Sequence, residues 1–211
     1  MQVSTEGLKG FSNSAENRRR SIRLVEYNYS NAGAYFVTIC VRDKKSILGH
    51  IRNANVDLSP IGEIAHHCWN EIPNHFPYVE LDAFIVMPNH LHGIIVLNGN
   101  CRGVQLNAPE MTTANYYESI SPKKGTLSVI VRTFKGAVTT QCRKGTYNFL
   151  GWQRNYYEHI VRNEDVLGRI REYIVNNPLQ WQFDRENPTH EKDEYYDKQW
   201  GKFEDMLYPK K

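Results

Sequence analysis

The stretch Tyr78–Leu97, YVELDAFIVMPNHLHGIIVL, decides the fold prediction for this chain. Two apolar runs of strand length, rich in β-branched residues, lie on either side of the break at Pro88-Asn89. Side chains alternate between the faces of a sheet, so His90 and His92 would share one face and leave the other face apolar for helices to cover. The predicted strands are Tyr78–Met87 and His90–Leu97, and the apolar face carries Leu91, Ile95 and Leu97.

The remaining elements follow from caps and periodicity. Ser59 offers an N-cap with Pro60 at the first helical position, and Asn163 offers a second N-cap. The order β, α, β, β, α, β with one further helix predicts an α+β fold, with a ferredoxin-like (RRM-like) antiparallel sheet and an appended C-terminal helix. The other predicted elements are strand Ala34–Val41, a small hairpin between Ile47 and Asp57, a helix from Pro60 to Pro73, helix Thr126–Lys144, strand Arg154–Val161 and a last helix from Asn163 to Asn177.

Composition limits the class of protein. The 211 residues are 40% hydrophobic and 23% charged, which is typical of a globular chain. No apolar stretch approaches the roughly 18 residues of a membrane span, and the polar start lacks the apolar core of a signal peptide. We therefore expect a cytoplasmic protein with no membrane partner. Its four cysteines have neither CxxC nor disulfide-framework spacing and are expected to be buried or incidental thiols: Cys40, Cys68, Cys101 and Cys142.

The net charge of +3 hides an uneven distribution. Between Ser119 and Tyr157 there are seven basic residues and no acidic ones, which leaves −4 for the rest of the chain. A second basic run, Arg18, Arg19, Arg20 and Arg23, precedes the first predicted strand. A single run of this kind is typical of a solvated surface, but two runs flanking one fold make a phosphate-backbone partner equally plausible.

The histidine pair is the most informative chemical feature. Imidazoles two residues apart on a strand can converge on one cation, and a metal held there would act as a Lewis acid on a phosphoryl or carbonyl oxygen. The alternative is a pair of polar residues on a half-exposed sheet face. The two-residue motif alone favours that alternative.

A wider set of motifs resembles one family. Val86-Met87-Pro88-Asn89-His90-Leu91-His92 is similar to the His-hydrophobic-His signature of the HUH single-tyrosine transposases, in the branch of the REP-associated tyrosine transposases. The resemblance covers about residues 18–182, and the ordered set of motifs is more specific than any single one. The other matching segments, in chain order, are Arg19–Leu24, Tyr35–Cys40, Phe134-Lys135, Trp152–His159 and Tyr173–Pro178.

The resemblance implies roles for four residues. His90, His92 and Asn177 would be metal ligands, and Tyr173 would be the nucleophile. Tyr173 and Asn177 are an i,i+4 pair, so they lie on one face of a helix. Tyr173 also continues an apolar stripe, so a core or boundary aromatic is the alternative, and Tyr156 and Tyr157 are the main rival nucleophiles.

The resemblance also implies a reaction and its partners. The tyrosine would attack a phosphodiester of a single-stranded DNA hairpin and form a covalent 5′-phosphotyrosine, with Mg²⁺ or Mn²⁺ as the cofactor. The protein would thus be a DNA transposase or single-strand endonuclease acting in transposition and recombination at REP elements. The candidate DNA-binding residues are Arg18, Arg19, Arg20, Arg23, Arg132, Lys135, Arg143, Lys144 and Arg154.

Several alternatives remain open from the sequence. The chain is divided into an N-terminal segment (1–17), a catalytic domain (18–182) with an insertion at about 98–125, and a charged C-terminal extension (183–211). The sequence is compatible with a monomer and with a homodimer. Tyr173 could complete the active site of its own chain, or its helix could be exchanged so that it completes the site of a partner chain. A non-catalytic hairpin-binding protein or regulator on the same fold is the second hypothesis, and a small metal-binding or scaffold protein is the third.

Overall fold

The computed structural model describes residues 31–98, 125–190 and 193–207. Its centre is a four-stranded sheet of β4 (Val79–Val86), β5 (His90–Leu97), β1 (Gly33–Cys40) and β6 (Tyr157–Val161), in that spatial order. Every neighbouring pair of strands is antiparallel. Residues 99 to 124, which are nearly all of the insertion predicted at about 98–125 and include Cys101, lie outside the described residues, as do Arg18 to Arg23. Strands β2 (Gly49–Arg52) and β3 (Asn55–Leu58) form a separate hairpin.

Helices cover both faces of the sheet. Two begin at the predicted caps: the Ser59 hydroxyl accepts the Gly62 N–H at 3.1 Å, and the Asn163 side chain accepts the Val166 N–H at 2.9 Å. Within the described ranges, no helix has both the length and the apolar character to cross a membrane. The helices are α1 (Pro60–Asn70), α2 (Ile72–His75), α3 (Leu127–Lys144), α4 (Glu164–Asn176) and α5 (Glu194–Leu207), with 3-10 turns at Arg42–Lys44 and Asn177–Phe183.

The larger core lies between the sheet and helices α1 and α3. Leu91 and Ile95 of β5 are fully buried there against Trp69 of α1 and Phe134 of α3. The predicted apolar face of the histidine strand is thus confirmed, together with the helices that cover it. Burial of such side chains is the main stabilising term of the fold.

A smaller core lies on the opposite face, where the histidines project. Phe36 of β1 and Ile94 of β5 pack there against Leu167, Ile170 and Ile174 of α4. The helix that carries Tyr173 is therefore held on the histidine face by apolar burial. This contact brings the two predicted halves of the site together.

The mixed α+β prediction is confirmed. The helix predicted from Pro60 to Pro73 is two helices, because α1 ends at Asn70 and Pro73 lies inside α2 and not at the end of α1. Two further differences concern β6 and α4. The predicted strand Arg154–Val161 begins only at Tyr157. Just before it, the Lys135 ammonium takes the carbonyls of Gln153 and Asn155 at 2.8 and 2.9 Å. Those carbonyls are then occupied by a side chain and not by a neighbouring strand. At the other place α4 ends at Asn176 and continues as a 3-10 turn, since Pro178 has no N–H to donate.

Candidate active site

The two histidines of β5 meet on the α4 side of the sheet. Their Nε2 atoms lie 2.9 Å apart, and both side chains are buried. The strand register places His92 opposite Thr38 of β1 and His90 opposite Cys40. The predicted convergence of the two imidazoles is therefore observed.

Asn89 fixes the orientation of His90. Its amide nitrogen donates to the carbonyls of Lys44 and Glu186 at 3.0 and 2.6 Å, so its oxygen is the atom that faces His90 Nδ1 at 2.8 Å. An amide oxygen only accepts hydrogen bonds, so the His90 proton sits on Nδ1. The lone pair of a neutral His90 ring is then on Nε2, which faces His92.

Thr38 plays the corresponding part for His92. Its hydroxyl lies 2.8 Å from His92 Nδ1 and can donate or accept, so it suits either neutral tautomer of that ring. Burial is the main reason that the pKa of His90 falls to about 3, with the charge of Lys44 adding to it. Burial and then His90 hold the pKa of His92 well below its usual range, opposed by Asp184. Both rings are thus neutral, which is the form that binds metals.

Tyr173 of α4 faces this pair. Its phenol oxygen lies 3.1 Å from His92 Nε2, and its ring meets the His92 ring edge-on with centroids 5.1 Å apart. Phe36 of β1 contacts the Tyr173 ring edge-on at 6.1 Å, and Phe203 of α5 stacks on it at 4.5 Å. Tyr173 is therefore at once a boundary aromatic, as the apolar stripe suggests, and a neighbour of the histidines.

Asn177 and Asp184 line the same site. The fully buried Asn177 donates its amide N–H to Asp184 Oδ2 at 3.2 Å. Its amide oxygen is buried and accepts no hydrogen bond within the described part of the chain. The ligand atoms of His90, His92 and Asp184 all lie within 4.8 Å of one another.

These atoms fit a divalent cation. When two ligand atoms each lie about 2.1 Å from a metal and the ligand–metal–ligand angle is about 90°, they are about 3 Å apart. This distance matches the 2.9 Å between the Nε2 atoms of His90 and His92. The buried Asn177 oxygen has no donor among the described residues, and a cation would supply the missing partner. Imidazole, amide and carboxylate donors together are a ligand set that divalent ions accept.

The rival tyrosines differ in position. Tyr156 is buried on the other face, where its hydroxyl lies 3.4 Å from that of Ser128 on α3. Tyr157 pairs in register with Thr38, so its side chain points to the histidine face, and it is 48% exposed. Of the two rivals, Tyr157 alone shares a face with the histidines.

Comparison with known proteins identifies relatives. No protein-family model matches the chain. An uncharacterized Haemophilus influenzae protein is 45% identical over 176 residues, which are 82% of this chain and 95% of that protein, so the two belong to one family. Another H. influenzae protein, provisionally named a REP-associated tyrosine transposase, is 23% identical over 159 residues, 72% of this chain and 73% of that protein.

A solved structure has the same fold. It is a REP-associated tyrosine transposase bound to a REP hairpin, with a TM-score of 0.52 and 21% identity, covering 76% of this chain and 74% of that chain. The chain is thus similar in sequence to one protein with that name and in fold to a solved one. The resemblance that the motifs predicted is thereby confirmed.

The basic candidates within the described residues do not gather around the tyrosine. Helix α3 packs on the face opposite to the histidines, so Arg132, Arg143 and Lys144 are exposed on the far side of the sheet. Arg154 is exposed before β6. Lys135 is half-buried, and burial lowers its pKa to about 8. Its bonds to Gln153 and Asn155 give it a structural task in addition to any contact with DNA.

Sequence reasoning missed several members of the site. Asp184 and Phe203 come from the predicted C-terminal extension, and Thr38 comes from β1. Asn89 is named in the sequence as part of the strand break and of the histidine motif, but with no role of its own. Thr38 could have been predicted as a partner of His92, because it lies on the strand that pairs with the histidine strand. Asp184 could not, because no local sequence pattern marks it.

Proposed function

We propose that this protein cleaves and transfers single-stranded DNA at hairpin sites through a tyrosine nucleophile and a divalent metal. The observation that carries the proposal is the 3.1 Å approach of the Tyr173 phenol oxygen to His92, beside His90, in one chain. The order of strands and crossing helices supports a ferredoxin-like βαββαβ topology for the domain that carries these residues. A substrate of this kind would place the protein at the nucleoid.

The proposed reaction exchanges one phosphodiester for another. The Tyr173 phenolate attacks the phosphorus of the scissile phosphodiester, the Oη–P bond forms, and the P–O3′ bond breaks. The phenol proton is released to water, and the departing 3′-oxygen takes a proton from water. The products are a 5′-phosphotyrosine and a free 3′-hydroxyl, so a 3′-hydroxyl can later reverse the step with the ester energy retained.

The residues around Tyr173 prepare it for this attack. The Phe203 and Phe36 rings restrict the phenol to the orientation in which its oxygen faces the histidines. A free phenol has a pKa of about 10, so it needs help to ionise at neutral pH. When bound by His90, His92 and Asn177, Mg²⁺ or Mn²⁺ would supply positive charge that favours the phenolate and offsets charge on the phosphoryl oxygens.

The exposed basic residues are proposed to hold the DNA backbone away from the reaction centre. Phosphate contacts position a strand, and each one that is lost weakens binding and lowers its salt dependence by about one unit of slope. We expect the double variant Arg143→Ala, Lys144→Ala to bind a hairpin more weakly with a shallower salt dependence. An unchanged slope would remove these two residues from the interface.

Covalent capture tests the proposal. The whole chain is incubated with Mn²⁺ and a DNA hairpin that has a labelled single-stranded flank, and a denaturant-resistant protein–DNA adduct is measured. We expect the adduct in the wild type and in Tyr157→Phe, and its loss in Tyr173→Phe. Loss in Tyr157→Phe with survival in Tyr173→Phe would assign the nucleophile to Tyr157. Tight hairpin binding without an adduct from any substrate or metal would favour the non-catalytic regulator.

A further inference from the structure

We propose that Asp184 is a further protein ligand of the same cation site, supplied by the segment that follows α4. The inference rests on the proposed function, because it adds a carboxylate to the donors His90, His92 and Asn177. It also makes the segment beyond residue 182 part of the reaction centre.

The position of Asp184 carries the proposal. One of its carboxylate oxygens lies with the histidine ligand nitrogens inside a group whose members are all within 4.8 Å of each other. Opposite ligands of a metal with bonds of about 2.1 Å are separated by about 4.2 Å, so a small adjustment lets all three meet one ion. The side chain is almost fully buried, so it does not reach this place as a mobile surface group.

The hydrogen bonds of Asp184 leave room for a ligand bond. Oδ1 accepts the Glu186 backbone N–H at 2.7 Å, and Oδ2 accepts the Asn177 amide N–H at 3.2 Å. Each carboxylate oxygen can accept more than one bond, so capacity toward the histidines remains. By taking the Asn177 nitrogen, Asp184 also turns the Asn177 oxygen away from itself and leaves it as a donor atom for the ion.

Charge balance favours the same assignment. Within the described part of the chain the buried Asp184 makes no ion pair with an arginine or a lysine. A buried carboxylate that has hydrogen bonds but no counter-ion is costly, and a cation between it and the imidazoles removes that cost. A carboxylate also shifts the donor set toward hard ions such as Mg²⁺ and Mn²⁺.

The fold of the segment holds the carboxylate in place. The 3-10 turn Asn177–Phe183 returns the chain to the sheet, and the Asp184 N–H closes it on the Trp181 carbonyl at 3.1 Å. The Glu186 carbonyl then accepts from Asn89, which orients His90. Asp184 is thus tied on one side to Asn177 and on the other to the support of His90.

Metal binding measured without DNA tests the inference. Mn²⁺ is titrated into the whole chain by calorimetry for the wild type, Asp184→Asn, His92→Ala and Glu186→Gln. Glu186→Gln is the matched control, because Glu186 lies on the same segment as Asp184 but directs its side chain to Cys40 and Lys44. We expect Asp184→Asn to weaken the affinity at least about tenfold and Glu186→Gln to leave it unchanged. The single amide oxygen of the Asp184→Asn variant can keep the bond from Asn177 or the bond from Glu186 but not both, so a second variant is needed to separate metal ligation from positioning.

A second variant gives a positive signal. Asp184→Cys titrated with Co²⁺ should show a thiolate-to-metal charge-transfer absorption that the wild type lacks, whether or not Asp184→Asn alters the metal-free stability. Mn²⁺ affinity of Asp184→Asn within twofold of the wild type, or Co²⁺ bound to Asp184→Cys without that absorption, overturns the inference. If only His92→Ala then loses binding, the proposed function stands without Asp184. If the wild type binds no Mn²⁺, both fail.

Discussion

The phenol oxygen of Tyr173 lies 3.1 Å from His92 Nε2 of the same chain. The helix that carries Tyr173 is fixed to its own sheet by buried apolar contacts and by Arg171, whose guanidinium donates to both carboxylate oxygens of Asp82 on β4. That contact also lowers the pKa of Asp82. Tyr173, the proposed nucleophile, and the histidines therefore meet within one chain in this fold, and we predict that they also act within one chain.

The first prediction concerns this assembly in cis. Mixing Tyr173→Phe with His92→Ala should give no adduct beyond the sum of the two variants alone, since each chain lacks one half of its own site. The measurement is covalent capture on a labelled hairpin at several protein concentrations. Adduct that appears only in the mixture would show that α4 is exchanged between chains.

The second prediction concerns Asn89, which touches no substrate and acts through His90. Its amide links the His90 Nδ1 proton to the carbonyls of Lys44 and Glu186. Partners of this kind orient metal ligands, and their loss typically costs about 10–100-fold in metal affinity. We expect Asn89→Ala to weaken Mn²⁺ binding in calorimetry by an amount in this range.

A surface asparagine provides the control for that substitution. Asn74→Ala removes an amide that donates to Glu71 away from the site, so its Mn²⁺ affinity should equal that of the wild type. Equal affinities for Asn89→Ala and Asn74→Ala would show that His90 is oriented without Asn89.

The third prediction is a pH dependence of stability from His159. Burial, and then the positive charge of Arg162, lower the pKa of His159 to about 4. Between pH 6.5 and 4 the unfolded chain binds a proton that the folded chain does not, so this contribution to stability is lost as the pH falls. We expect about 1 kcal/mol of loss between about pH 7 and pH 5 after allowing for the partial exposure of the ring.

Urea unfolding at the two pH values measures this effect. The pH-dependent loss should be smaller in His159→Gln than in the wild type, and the difference between the two isolates His159 from the other histidines. Arg162→Gln should reduce the loss by a smaller amount, because the arginine is the second cause of the shift. An identical loss in the wild type and His159→Gln would contradict the assignment.

The parts of the site that the sequence predicted are those encoded locally. Alternation along one strand put His90 and His92 on a common face, and helical spacing put Tyr173 one turn before Asn177. Thr38, Asp184 and Phe203 reach the site only through strand pairing and chain return, which leave no periodic signal. Thr38 lies 54 positions from the His92 that it contacts, and Phe203 stacks from a separate helix, so only the folded chain brings their roles into view.

Lys135 shows the opposite limit. As a basic residue in a positive stretch, Lys135 is predicted to bind DNA. The predicted strand Arg154–Val161 includes Asn155, whose carbonyl Lys135 binds. In the fold its ammonium takes two main-chain carbonyls just before the strand, and part of the side chain is buried. A charge count does not distinguish a cation that faces solvent from one that satisfies backbone acceptors.

The last prediction concerns Gly93, which lies between His92 and Ile94 on β5. A Cβ at this position would clash with the Trp69 ring, which is itself fixed by Phe84 at 5.7 Å and Phe134 at 5.3 Å. Gly93→Ala should lower the free energy of unfolding by about 1–3 kcal/mol, because the packed ring has no space to move into. The matched control is Gly136→Ala on α3, where a Cβ meets no atom within 4 Å and helix propensity should raise stability by about 0.5–1 kcal/mol. Urea denaturation of the two variants measures both changes, and a Gly93→Ala chain as stable as the wild type would show that Trp69 yields and that the histidine strand tolerates a larger neighbour.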